Sequence, residues 1–491
     1  MKAVGRAAAQ ISSAATSAKR TAERAAEELT QRRAATSSSS GRESQRCSEK
    51  DMNGPPEVPE APIGRVYAPD DESCYVFVSS TREHVLVISR HDGTVRVAHT
   101  REIDSLIGAS SARAKSCAVS AIVGLLSYPD DSSLVVVTRS TARPLYGASF
   151  EATAVRFITN TGFLPMSADS NESQWSSASL EARDVGAKMR MQLKELLEGG
   201  DFYFAAHEPL TLSLQRVSEL REGNYEPAAW AHHDPRFCWN EASLKPLAEA
   251  GVGPWLTPVL HGALISEELE HNNSMIIRLS LLSRRSCEHA GTRFKARGMD
   301  DVGSCANFVE SEQRMQLIVR YPYDTWAVAS LVQLRGSAPL FWDQRGKAIT
   351  PKPRLRRSVP LTLPALRRHL NDLERRYGMV TLLSLLEHKG DELEIQAALT
   401  QAISAVEDSH SSVRLAAFDF RNECRKSRQE GVRVRACPFK REQRAGEMVL
   451  AGYRLVNTYM HHTRSVARVA ARVTAIAIAT MEGPCPAHST S

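Results

Sequence analysis

At 491 residues, with 42% hydrophobic and 24% charged residues, the chain has room for two or three cored domains and a globular composition, which excludes fibrous and disordered classes. The net charge is +6, but thirteen Lys/Arg against four Asp/Glu fall between Arg421 and Arg472, so that stretch holds the positive excess and the remainder is slightly acidic. This distribution excludes a general nucleic-acid coat and makes any polyanion site local.

Nine scattered cysteines contain no CxxC pair, so neither a zinc site nor a disulfide framework is expected. The default is a reducing compartment, with no metal and no other cofactor. The longest apolar candidate, Val473–Met481, falls far short of the roughly 20 residues that cross a bilayer as a helix. Membrane contact is therefore expected to be peripheral.

Residues 1–60 are Ala-, Ser- and Arg-rich and end in the Pro-rich PPEVPEAP, which reads as a disordered tail and linker. The first 22 residues lack acids, a weak sign of a transit peptide and a weaker reading than a tail. From Ile63 short β-rich runs follow: Ser73–Ser79, Glu83–Ile88, Thr94–Ala98, Ala118–Leu126, Ser133–Thr138 and Glu151–Ile158. His91-Asp92-Gly93 reads as a hairpin turn. Residues 61–185 thus form a β-rich N-terminal unit. Leu180–Glu198 has helical spacing and ends at Gly199-Gly200, which puts a boundary near residue 186.

Beyond it, Phe202, Tyr203, Phe204, Phe237 and Trp239 read as core aromatics, and His261 as a packed histidine. Ser274–Leu282 reads as a buried strand, and Arg314–Tyr321 and Trp326–Leu334 read as two further strands. Between the first two lies Ser283–Gln313, SRRSCEHAGTRFKARGMDDVGSCANFVESEQ, which between Arg284 and Arg297 gathers Arg284, Arg285, Arg293, Lys295 and Arg297 around one acid, Glu288. Guanidinium forks beside glycine turns suit an anion, and Arg335 in QLRGSAPLFWDQ echoes the pattern. A solvated, salt-bridged hairpin is the plainer alternative. From Leu363 the chain alternates helix, strand (Val380–Leu386), helix (Glu392–Val406), strand (Val413–Phe420), which predicts a parallel sheet covered by helices. The fold class is α/β, α+β overall. Loops at the carboxyl ends of such strands carry chemistry, which points to the residues after Phe420.

Six segments, DFYFAAHEPLTLSLQR, DPRFCWNEASL, LTPVLHG, the Ser283–Gln313 stretch, LVQLRGSAPLFWDQ and AAFDFRNECRKSR, resemble in this order the Sac-domain phosphoinositide phosphatases. The resemblance spans roughly Ile63–Arg428. It implies a β-rich Sac subdomain (61–185) packed on a catalytic subdomain (186–428, incomplete), followed by a divergent basic tail (429–491). It also implies hydrolysis of inositol-ring phosphate monoesters through a cysteinyl phosphate, with no metal or cofactor. The family's nucleophile segment has the form Q-E-G-V-x-R-x-N-C-x-D-C-L-D-R-T-N. Here Gln429–Val432 match and Cys437 falls at the nucleophile's place, while Gln443 occupies the arginine position and Arg444 comes one residue later. Cys437 and Arg444 are the expected catalytic pair. Arg284, Arg285, Arg293, Lys295, Arg297 and Arg335 are the expected headgroup ligands. Cys287…Arg293 also has Cys-x5-Arg spacing, but no helix follows it and it reads as coincidence. The compositional break after about Arg428 fits either divergence or a misjoined reading frame.

The expected partners are phosphoinositide membrane lipids, met peripherally at cytoplasmic faces of endomembranes, without nucleic acid. Oligomeric state is not legible. The alternative function is a phosphoinositide-binding scaffold that no longer hydrolyses.

Overall fold

A computed structural model describes residues 64–419, with breaks at 69–72, 82, 108–114, 148, 167–179, 207, 222–229, 231, 253–254, 272–274, 292–295, 320–324, 345–350, 408, 410–411 and 418, together with residues 479–481. The fold is α+β. Branched apolar runs separated by polar turns build two antiparallel sheets, and the amphipathic helices come later in the chain.

The first sheet holds β1 (Gly64–Ala68), β2 (Cys74–Ser79), β3 (Val85–Ser89), β4 (Val95–Ala98) and β5 (Lys115–Val119) in the order β4-β3-β2-β1-β5. Gly93 closes the expected hairpin at φ 70°, a backbone that glycine adopts without strain. The second sheet is a meander of β6 (Ala121–Ser127), β7 (Ser132–Leu145), β8 (Thr153–Pro165), β9 (Phe202–Phe204), β10 (Leu260–His271), β11 (Met275–Arg285), β12 (Val309–Val319) and β13 (Thr325–Arg335), each paired antiparallel with the next, with the short β18 (Ala479–Met481) beyond β13. The meander runs through the position at which the sequence places a subdomain boundary: Arg156 and Phe157 of β8 pair with Phe204 and Tyr203 of β9.

The two sheets meet over Phe77, Ile88, Ile122, Leu134 and Trp255. Helix α1 (Ile103–Ile107) covers the far side of the first sheet. Helix α2 (Leu180–Leu197) lies over the meander, where Leu197 packs with Phe202 and Phe204. Two short helices that the sequence reading did not anticipate, α3 (Leu214–Arg221) and α4 (Glu241–Glu249), follow. The aromatic cluster is core, as expected: Phe202, Tyr203, Phe204 and Phe237 are all buried.

The last part of the fold has the expected alternation. Two-stranded β14 (Trp342–Asp343) and β15 (Arg354–Leu355) lead into α5 (Val359–Tyr377), then β16 (Val380–Ser384), α6 (Leu393–Ser404) and β17 (Val413–Ala417). Strands β16 and β17 pair in parallel, Val380 opposite Val413 through Ser384 opposite Ala417. Leu366, Leu370 and Leu373 of α5 and Ile395, Leu399 and Ile403 of α6 pack with Leu382 and Leu415, joining this pair to the core under β10–β12.

One strand departs from ordinary patterning. Alternate residues of β12 point inward, and those residues are Glu310, Glu312, Arg314 and Gln316. Burying them unpaired would cost several kcal/mol per ion, on the order given for desolvated charges. They are paired instead. Arg284 donates to Glu310 (2.8 Å) and Glu312 (2.5 Å), and Arg314 donates to Glu208 (2.6 Å) and Glu312 (3.2 Å).

Candidate functional site

Both sequence motifs that suggested an anion site lie at one end of the meander, and the fold joins them. The connection from β11 to β12 folds back over the connection after β13. The Gly298 amide donates to Ser337 Oγ (2.8 Å), the Met299 amide to the Leu340 carbonyl (2.9 Å), and the Ser337 amide to the Ala306 carbonyl (3.0 Å). Gly298 sits at φ 73°, and a β-carbon there would lie 2.5 Å from the Leu340 oxygen. A glycine is therefore required by close approach as well as by backbone angle. Gly303 does the same against α5, where an added carbon would meet Ala365 O at 3.0 Å.

The expected basic residues separate into three groups. Arg285 and Arg335 both stand opposite Val309 in the sheet register, so they share one face, two strands apart, about 10 Å at ordinary strand spacing. Arg335 is exposed, with no acidic partner among the described residues. Arg285 is partly buried. Its Nη2 donates to the Gly291 carbonyl (2.6 Å) and to Asn307 Oδ1 (2.8 Å). Asn307 adopts φ 54° and donates to Ala296 O (3.1 Å), so it ties the loop to Arg285. Arg297, the next residue, lies over the Trp342 ring at 5.6 Å and reaches Gln344 at 3.2 Å.

Arg284 is different, and here the sequence expectation is corrected. Its side chain is fully buried. Besides the two glutamates, it donates from Nε to the Leu210 carbonyl and from Nη2 to the Leu212 carbonyl (2.8 Å). With its donors spent inside the core, Arg284 is a structural cation and not a headgroup ligand. The adjacent arginines alternate across the strand, so only Arg285 faces outward. Arg293 and Lys295 lie outside the described residues, as do Cys437 and Arg444.

The thiols bordering this end are unsuited to attack on phosphorus. Burial, reinforced by Glu288, raises the Cys287 thiol above its ordinary value, and its Sγ lies 3.4 Å from the Pro235 carbonyl. Burial pushes Cys238 up to about 12 and raises Cys305 further. A nucleophilic cysteine requires the reverse shift. Cys287 thus stands in a turn after β11 with a protonated thiol, while Arg293 lies outside the described residues. His261 is also a packed residue: it meets Phe202 edge-on (4.7 Å) and lies tilted against Trp239 (5.0 Å), and burial and Arg285 both lower its pKa.

A second feature sits at the carboxyl ends of β16 and β17, where the parallel pairing predicts functional loops. Asp419, two residues past β17, is buried and accepts from the His388 amide (3.3 Å). Asp419 therefore links the two strand ends just before the segment that contains Cys424 and Cys437.

Sequence reasoning missed Asn307, Trp342 and Gln344, which orient Arg285 and Arg297. An Asn in a glycine-punctuated loop is a signal for positive φ. Nothing in the sequence pattern paired Trp342 with Arg297. Among the described residues no helix is long and apolar enough to cross a membrane, and no cluster of three metal-ligating side chains occurs.

Comparison with known proteins gives a consistent result. The family model described as the SacI homology domain matches residues 120–425, from the first strand of the meander to just past β17. The chain is 34% identical over 268 residues to "Phosphoinositide phosphatase SAC8" of Arabidopsis thaliana, covering 54% of this chain and 42% of that protein. It is 33% identical over 244 residues to "Phosphatidylinositol-3-phosphatase SAC1-A" of Danio rerio, covering 49% and 40%. It is 28% identical over 363 residues to human "Synaptojanin-1", covering 72% and 21%. The chain thus matches less than half the length of these three relatives.

Proposed function

As the chain belongs to the SacI homology domain family, we propose that it is a Sac-type phosphoinositide phosphatase, removing phosphate monoesters from the inositol ring of phosphatidylinositol phosphates. One observation carries the headgroup reading. Arg285 and Arg335 share a face across Val309, and Arg297 is held on the loop that Asn307 ties to Arg285. Such spaced guanidiniums suit a ring bearing several phosphates, because each can take a pair of anionic oxygens. Arg293 and Lys295 extend this cationic wall in the proposal.

For the chemistry, the Cys437 thiolate attacks phosphorus, the bond from phosphorus to the ring oxygen breaks, and that oxygen takes a proton from solvent. Water then hydrolyses the cysteinyl phosphate and releases inorganic phosphate. Arg444 stabilises the equatorial oxygens as charge develops on them. The site of action in this proposal is the cytoplasmic face of endomembranes, reached peripherally.

A second reading has its own support: Gln443 stands six residues after Cys437, where the family pattern has arginine. In that reading the chain binds phosphoinositides without hydrolysing them. Phosphate release from phosphatidylinositol monophosphates decides between the two. The phosphatase reading expects release by the full chain and a gain in Gln443→Arg, since errors near 1 Å in such a clamp cost about a hundredfold in rate. Lipid binding without release, in both proteins, would establish the second reading.

A further inference from the structure

The segment that leads into α5 differs from the rest of the surface. From Pro351 to Asn371 the sequence holds six cations, Lys352, Arg354, Arg356, Arg357, Arg367 and Arg368, and no acid. All six are exposed. Arg354 and Arg367 have no acidic partner among the described residues. Within this basic field two large apolar side chains stand in solvent: Leu361, in the first turn of α5, is 66% exposed, and Val302 is 70% exposed.

These two belong to one surface. Val302 lies in the turn Asp301–Gly303, which is clamped on α5 from both sides. Arg357 forms an ion pair with Asp301, and Arg368 donates to the Asp301 carbonyl. His369 Nδ1 lies 2.9 Å from the Gly303 carbonyl. Leu361, Ala365 and Arg368 follow one another at helical spacing, so Leu361 lies one helical turn from the packing point of Gly303 at Ala365. The surface also continues into the headgroup wall: Arg357 lies 3.8 Å over the Phe341 ring, and the next residue, Trp342, carries Arg297.

We propose that this surface, formed by the Asp301–Gly303 turn, the Arg354–Arg357 segment and the first half of α5, docks the protein on an anionic lipid bilayer, with Val302 and Leu361 entering the interface. Isolated exposed apolar residues need no explanation. Two of them raised on a turn and a helix end, beside the acid-unpaired Arg354 and Arg367 and cations that pair, among the described residues, only at Asp301, Asp343 and Asp391, match the pattern of interfacial binding, in which shallow apolar insertion adds to attraction for acidic headgroups. A protein partner with an acidic groove would share the charge complementarity, but the short apolar contact favours a fluid surface. The proposal goes beyond hydrolysis of the ring phosphate and does not require it.

The test is flotation of the full chain with vesicles of phosphatidylcholine alone or with phosphatidylserine, both without phosphoinositide. The wild type is expected to float with the phosphatidylserine vesicles only, and less so as salt rises. Leu361→Glu is the informative variant. Position 361 is the third residue of α5, and Ser358 is its N-cap without a side-chain capping bond. A glutamate there creates the Ser-x-x-Glu capping box, so the helix keeps or gains stability while insertion is lost. Flotation is expected to fall roughly tenfold in Leu361→Glu and Val302→Glu, and about fivefold for each of Arg354→Gln and Arg367→Gln. Phosphate release from a water-soluble short-chain substrate should stay at the wild-type level in Leu361→Glu, which separates docking from catalysis. No flotation of the wild type, including a result in which it binds only heparin, overturns the proposal. Flotation of Leu361→Glu equal to wild type overturns it as well.

Discussion

The hydroxyl of Tyr377, in the last turn of α5, donates a 2.5 Å hydrogen bond to Glu310 of β12. This bond joins the helix that precedes the parallel strand pair to the buried charge network of the meander. Arg236 also donates to the Tyr377 oxygen (3.0 Å), and Arg236 in turn binds Asp234 (2.8 Å), which Arg376 of the same helix contacts at 3.0 Å. Burial, with Glu310 nearby, raises the Tyr377 phenol well above its ordinary value, so it remains a donor. Replacing Tyr377 with Phe removes the partner of a buried carboxyl and of a buried guanidinium. Urea unfolding is expected to show a loss of about 1–3 kcal/mol. A loss within error would mean that the bond does not hold α5 to the sheet.

The glutamates of β12 respond to pH in opposite directions. Five charged groups meet here: the acids Glu208, Glu310 and Glu312, and the cations Arg284 and Arg314. Burial acts against the Glu312 charge, but Arg314 and Arg284 outweigh it and bring its pKa from 4.5 to about 2. Burial raises Glu310 despite Arg284 and the bond from Tyr377. The acid in excess is thus accommodated at Glu310. Because the folded value of Glu312 is depressed, its contribution is present above 4.5 and lost as pH falls towards 2. The full shift corresponds to about 3 kcal/mol. In Glu312→Gln, the stability lost between those pH values should shrink by about that amount. For Glu310 the raised value means stability lost as pH rises through it, so Glu310→Gln should cost little at neutral pH. Equal slopes in Glu312→Gln and wild type would contradict this assignment.

Arg284 and Arg335 separate structure from binding. Removing Arg284 leaves Glu310 and Glu312 buried with one cation fewer, so Arg284→Ala should cost about 3–5 kcal/mol in urea unfolding. Arg335→Ala removes an exposed side chain and should change stability by less than about 0.5 kcal/mol. Binding of a soluble inositol phosphate should fall in Arg335→Ala. Unchanged stability in Arg284→Ala would return that residue to the list of surface ligands.

Gly298 tests the junction of the two motifs. Alanine there meets both an unfavourable φ and the Leu340 oxygen, so Gly298→Ala should cost about 1–3 kcal/mol. Limited proteolysis should then cut within residues 286–308 before the rest of the meander. Equal resistance in variant and wild type would show that the loop has another anchor.

Much of this fold is readable from local patterns. Branched apolar runs located β2, β3, β6, β7, β11, β12 and β13, and helix–strand alternation gave the parallel pair β16–β17, since each depends on side chains close in sequence. The buried charges were not readable in that way. Period-2 patterning assigns polar residues to solvent, whereas Glu310, Glu312 and Arg314 face inward because Arg284 and Glu208, distant in sequence, neutralise them. The same limit applied to Arg284 and Arg285: composition placed both in an anion site, and strand alternation put one in the core. Helices α3 and α4 were missed because they are short, and α4 carries Pro246 inside it.

The central proposal is that Cys437 gives this chain its phosphatase chemistry. The most direct measurement is inorganic phosphate release from a water-soluble short-chain phosphatidylinositol monophosphate by the full chain and by Cys437→Ser, which does not depend on vesicle docking. The account predicts steady release by the wild type and none by Cys437→Ser. Equal release by both proteins, or none by the wild type, would contradict it.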